Sequence, residues 1–128
     1  MKKTIFTEFA PRPGGPYAQA VLAGGLLYGA GQLGLDPLSG QMVSGGAVEQ
    51  AGQALANIDA VLSAGGLSPA DVVKVTIYMT DLADFAAVNA VYAGFFQVSP
   101  PARTTVQVAA LPLGGKVEMD FIAAVPSL

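Results

Sequence analysis

A helix-period stripe followed, across a glycine pair, by a strand-period alternation is the feature that most narrows what this chain can fold into. Val48, Ala51, Leu55, Ile58 and Leu62 recur at spacings of 3, 4, 3 and 4, with Glu49, Gln53 and Asn57 off the stripe, which predicts an amphipathic helix. Gly65-Gly66 then ends it, as a C-terminal cap does. Val73, Val75, Ile77 and Met79 next alternate with Lys74, Thr76, Tyr78 and Thr80, the pattern of a strand with one strongly apolar face. A strand of that kind has to be covered on that face alone, so helices are expected on one side of a sheet.

The flanking segments extend this order. Lys3 to Thr7 alternates weakly and suits a short edge strand, whereas Ala10-Pro11-Arg12-Pro13-Gly14-Gly15-Pro16 can only be a shaped loop. Ala18 to Val21 and Leu26 to Ala30 flank Ala23-Gly24-Gly25 as a hairpin with a glycine turn. Asp81 and Asp84 stand where an N-cap and a first-turn carboxylate favour a second helix. Its stripe is Phe85, Val88, Tyr92, Phe95 and Phe96, of which Tyr92, Phe95 and Phe96 read as core with no cofactor role, and Ser99-Pro100-Pro101 stops it. Two more strands, Arg103 to Val108 and Lys116 to Val125, close the chain. The expectation is one α+β domain over residues 1–128: three strands, helix, strand, helix, two strands, with two helices on one face of a mixed sheet.

Composition removes several classes of chemistry. The chain has no Cys and no His, so disulfides, thiolate or imidazole catalysis and the usual zinc sites are excluded. Carboxylates, hydroxyls, Arg, Lys and backbone remain. A net charge of −3 argues against nucleic-acid or anionic-membrane partners. The two lysines after Met1 are not followed by an apolar run, and no stretch suits a transmembrane helix, so a soluble, cytoplasmic protein is expected. Charged residues are only 12% of a chain that is 52% hydrophobic, which points to apolar surface buried in a homo-oligomer interface.

Three motifs bear on function. Gly29-Ala30-Gly31-Gln32-Leu33-Gly34 matches the dinucleotide fingerprint G-x-G-x-x-G, but Asp36-Pro37 and Ser39-Gly40 form a turn where a helix N-terminus must hold the pyrophosphate. A strand end open to a ligand or another backbone fits better. Arg103 is the one cation between Lys74 and Lys116, set rigidly after Pro100-Pro101. It serves either as a surface ion-pair partner or as a ligand clamp. On the last strand Val117, Met119 and Phe121 point one way while Glu118 and Asp120 point the other; neighbouring strands would bring Arg103 and Glu118 to one pocket, though the sequence does not show that they meet. Tyr17, behind Gly14-Gly15-Pro16, is held out as a pocket phenol or packs on the sheet.

Together these residues resemble the RidA/YjgF family of reactive-imine deaminases. The resemblance covers essentially the whole chain. It is carried by Gly15-Pro16-Tyr17-Ala18-Gln19-Ala20, Gly31-Gln32, Gln53-Ala54-Leu55-Ala56-Asn57, Asp84-Phe85 with Val88-Asn89, and above all Pro101-Ala102-Arg103-Thr104-Thr105-Val106, then Leu111-Pro112 and Val117-Glu118. It implies a chorismate-mutase-like fold assembled as a homotrimer, with clefts between subunits for small imino and oxo acids and no metal or cofactor. It implies that Arg103 binds the substrate carboxylate, Glu118 handles the hydrolytic water, Tyr17 lines the pocket, and Gly31, Thr105 and Asn89 complete substrate binding. Position 105 is often Cys in the family and is Thr here, and the frequent Ser before the glycine is Ala30.

Three functions are therefore weighed. The leading one is hydrolysis of 2-imino acids such as 2-iminobutanoate and 2-iminopropanoate to 2-oxo acids and ammonia. The second, motivated by Ala30, is a non-catalytic module binding small carboxylic acids. The third, endoribonuclease activity, has been attached to relatives, but the absence of His and the negative charge speak against it.

Overall fold

A computed structural model describes residues 1–126; the last two residues of the domain expected over 1–128 lie outside the described residues. The order of elements is as expected: β1 (Lys3–Ile5), β2 (Ala20–Ala23), β3 (Leu26–Leu33), α1 (Ala47–Ala64), β4 (Val72–Met79), α2 (Phe85–Phe95), β5 (Ala102–Gln107) and β6 (Val117–Ala124). They form a six-stranded sheet in the order β1-β2-β3-β6-β4-β5. Only β4 and β5 run parallel, because α2 carries the chain back between them. The β2–β3 hairpin turns at Gly24 and Gly25 with φ of 59° and 78°, a pair of values that glycine adopts without strain.

Both helices pack on one face of the sheet. Leu27, Val75, Ile77, Met79, Val117, Met119, Phe121 and Ala123 point to that side and meet Ala51, Leu55, Ile58, Val61 and Leu62 of α1 with Val88 and Tyr92 of α2. The other face carries Tyr28, Thr76, Tyr78, Thr104, Glu118, Asp120 and Ile122, and among the described residues no helix or second sheet packs on it.

Three expected core positions turn out differently. Val73 is 46% exposed and Val72 is buried in its place, because the β4–β6 register shifts between Val72 and Lys74 and leaves Val73 as the extra residue of a bulge. Val48 and Phe85, at the first turns of their helices, are 38% exposed each, while Ala47 fills the start of the α1 stripe. Asn57, expected off the stripe, is 1% exposed: its Nδ2 donates to the carbonyls of Leu33 at 3.2 Å and Leu35 at 2.9 Å, beyond the point where β3 is paired with β2. No helix among the described residues is long and apolar enough to cross a membrane.

Candidate functional site

The G-x-G-x-x-G run is a packing device. A side-chain carbon at Gly29 would lie 2.1 Å from the Phe121 ring, one at Gly31 would lie 2.7 Å from Glu118 Oε2, and one at Gly34 would lie 2.6 Å from the Gln50 backbone. Each glycine lets a neighbour come close: the core, a carboxylate and α1, respectively. The strand then enters a turn, closed by Gly40 N–H donating to the Asp36 carbonyl at 2.7 Å, so there is no helix N-terminus for a pyrophosphate.

Gly31 opens onto a cleft of about 680 Å³, lined among others by Arg12, Tyr17, Gly31, Leu38, Leu113 and Glu118. Glu118 projects from the helix-free face of β6, opposite Leu33 and Tyr78 on its neighbouring strands. Burial, and then the adjacent charge of Asp120, push its carboxyl above the ordinary range. Asp120 itself accepts from the Tyr78 hydroxyl at 3.0 Å. Tyr17 is 56% exposed, and its hydroxyl accepts from Gly14 N–H at 3.1 Å, so the phenol is held on the loop rather than packed on the sheet.

Arg103 lies elsewhere. It pairs in register with Val75, whose side chain is in the core, so it emerges on the helix face of edge strand β5. There it donates to Asn89 Oδ1 of α2, and its guanidinium sits 4.8 Å from the centroid of Tyr92 and 5.5 Å from that of Phe85. Phe85, Asn89 and Tyr92 are at i, i+4 and i+7 of one helix face, a mount for the cation. Thr105, two residues on, shares that face, and its hydroxyl and that of Tyr92 are buried without a partner among the described residues. Burial also raises the Tyr92 phenol's pKa, an effect the neighbouring Arg103 opposes.

The expected pocket of Arg103 with Glu118 is therefore not formed within one chain. Strand β4 separates β5 from β6, and the two residues are opposite Val75 and Tyr78 of β4, three residues apart. That is roughly 10 Å across the sheet and 10 Å along it, with the side chains on opposite faces. The six expected residues fall into two groups: Glu118, Gly31 and Tyr17 in the cleft, and Arg103, Thr105 and Asn89 at the β5–α2 edge. Tyr92, read from sequence as core, and Phe85, read as part of the helix stripe, belong to the second group; the polar Asn89, four residues after Phe85 and three before Tyr92, was the available signal. Among the described residues no His, Cys, Asp or Glu side chains are grouped to hold a metal ion.

An α+β fold with both helices on one face of a mixed sheet, and with the candidate residues in two separate groups, is the class of protein these features define. Residues 7–125 match the family model described as Endoribonuclease L-PSP, and the chain belongs to that family, the RidA/YjgF family. It is 53% identical over 123 residues to the 2-iminobutanoate/2-iminopropanoate deaminase of the goat, Capra hircus, covering 96% of this chain and 90% of that one. The crystal structure of RidA from an Antarctic Psychrobacter superposes with a TM-score of 0.93 at 45% identity, covering 96% of this chain and 99% of that one. The crystal structure of Escherichia coli TdcF with bound serine superposes with a TM-score of 0.93 at 40% identity, covering 97% and 99%.

Proposed function

We propose that the chain is a deaminase that hydrolyses 2-imino acids, or their enamine tautomers, to 2-oxo acids and ammonia. The observation that carries this is the division of the site: a carboxylate in an open cleft and a mounted guanidinium at a sheet edge, on opposite faces of one sheet. One chain cannot use both on a small acid, but two copies can. In this proposal the helix-free faces pack together in a homotrimer of chorismate-mutase-like folds, and Arg103 of one copy reaches the Glu118 cleft of the next. The low charge content and the uncovered sheet face support such an assembly.

The chemistry then needs little more than placement. Arg103, with one donor given to Asn89, offers the others of its fork to the substrate carboxylate. Glu118 takes a proton from water as the oxygen adds to the C=N carbon. The proton passes to nitrogen, and the resulting carbinolamine collapses to C=O with loss of ammonia. Raising the pKa of Glu118 makes it a better base for this purpose while keeping it ionised above that value. The goat relative's name and the serine held by TdcF support a small amino-acid-like substrate. The family model's description favours RNA cleavage instead, yet a chain with net charge −3 and no His offers neither attraction for phosphates nor an imidazole.

The test is the decay of 2-iminopropanoate or 2-iminobutanoate generated in situ. Acceleration over buffer by the pure protein is expected. Binding of 2-oxobutanoate without turnover would select the carboxylic-acid-binding module in its place.

A further inference from the structure

Pro11-Arg12-Pro13 sets an exposed arginine on the wall of the Glu118 cleft, on a backbone with little freedom. The prolines restrict φ on either side of Arg12. The buried side chain of Gln19 ties down the segment before it: Nε2 donates to the carbonyls of Thr7, Ala10 and Pro11 at 3.0, 3.3 and 2.9 Å, and Oε1 accepts from Thr7 N–H at 2.7 Å. The Arg12 guanidinium lies over the ring of Phe6, 5.7 Å from its centroid, a contact that orients it while leaving its N–H groups free to donate.

Arg12 and Glu118 are the two charged residues among those lining this cleft. Hydrolysis as proposed uses Glu118 here and takes its carboxylate clamp, Arg103, from the other half-site, so Arg12 has no part in it. The cleft of one copy, at about 680 Å³, has room for the Arg103 side chain of the next copy and for a substrate longer than a four-carbon acid. A guanidinium on the wall of the cleft that holds Glu118 is matched by a second anionic group on the substrate.

We infer that Arg12 is a specificity-determining residue that binds an anionic group on the substrate side chain, so that imines of acidic amino acids are favoured over those of small apolar ones. This rests on the deaminase reading above, and it assigns to that site a substrate class.

The experiment compares 2-iminoglutarate with 2-iminobutanoate, each generated in situ by an amino-acid oxidase, in wild type, Arg12→Gln and Arg12→Lys. Wild type is expected to show the higher kcat/KM on 2-iminoglutarate. Arg12→Gln is expected to lower the ratio of the two values roughly ten- to hundredfold, the worth of a charge-assisted hydrogen bond, and Arg12→Lys to recover part of it. An equal ratio in wild type and Arg12→Gln overturns the inference. Calorimetry with 2-oxoglutarate and 2-oxobutanoate needs no turnover. Tighter binding of 2-oxoglutarate that is lost in Arg12→Gln upholds the role of Arg12 even if neither imine is hydrolysed, a result that would instead reject the deaminase reading. No preference for 2-oxoglutarate rejects the role of Arg12 whatever the imine assay gives.

Discussion

The carboxylate of Glu118 occupies space that only a glycine at position 31 leaves free: a methyl group there would lie 2.7 Å from Oε2 and 2.9 Å from the carboxyl carbon. Gly31→Ala is therefore expected to push the carboxylate aside. Because Gly31 is exposed and the displaced atoms are the end of a flexible side chain, the melting temperature should change little. Turnover of 2-iminobutanoate should fall at least tenfold, since displacements of about 1 Å at a reacting centre can cost about a hundredfold. Unchanged turnover would mean that the carboxylate's position is irrelevant to the reaction.

Glu118 has its proton affinity raised by burial and by Asp120. The folded chain thus holds this proton more tightly than the unfolded chain. Its contribution to stability is full below the unfolded carboxylate's pKa and is lost as pH rises through the higher folded value. Glu118→Gln removes that loss, so its stability relative to wild type should rise with pH across this window. Its turnover should fall roughly 10²–10⁴-fold while 2-oxobutanoate binding survives. In wild type the rate should decline on the acid side as Glu118 takes up its proton. A destabilised Glu118→Gln protein with poor binding would instead make Glu118 a structural partner of Arg103.

Arg103 is held by Asn89, Phe85 and Tyr92, all from α2. Arg103→Ala should abolish 2-oxobutanoate binding and turnover with the oligomer intact. Asn89→Leu leaves the cation on its two rings but without its hydrogen bond, and calorimetry should show binding weakened about tenfold, the worth of one hydrogen bond to a charge. Equal loss in both variants would make Asn89 a direct ligand contact.

Asn57 spans from α1 to the end of β3. Asn57→Leu would leave two carbonyls short of a donor, so urea denaturation should report a loss of about 2 kcal/mol. A loss under about 0.5 kcal/mol, the scale of an ordinary surface substitution, would show that water replaces the amide.

The elements were legible because periodicity reports which side of a helix or strand is covered. Leu55, Ile58 and Leu62, and likewise Val75, Ile77 and Met79, are all buried as their spacing requires. What periodicity does not carry is a local break in it. The extra residue at Val73 moves the inward position to Val72, and no residue type signals that bulge. Asn57 reads as solvent-facing by polarity, yet its amide turns inward to the carbonyls of Leu33 and Leu35, beyond the β2 pairing of β3. The candidate site residues could be named one by one from the sequence, but not their arrangement. Alternation put Glu118 opposite to Met119, but the place of Arg103 depends on which strands are neighbours. That order is set by tertiary packing, which inserts β4 between β5 and β6.

The central claim is that Arg103 and Glu118 act in one cleft but come from different copies of the chain, and subunit mixing tests it directly. Arg103→Ala and Glu118→Gln proteins, each inactive or nearly so, would be unfolded together in equal amounts and refolded, with mixed oligomers verified by mass spectrometry. In a trimer each cleft draws its Arg and its Glu from two independent copies, so about one quarter of clefts should regain both residues and about a quarter of wild-type imine hydrolysis should return. Mixed oligomers with no more activity than the separate variants would contradict the account, because they would show that both residues must come from the same chain.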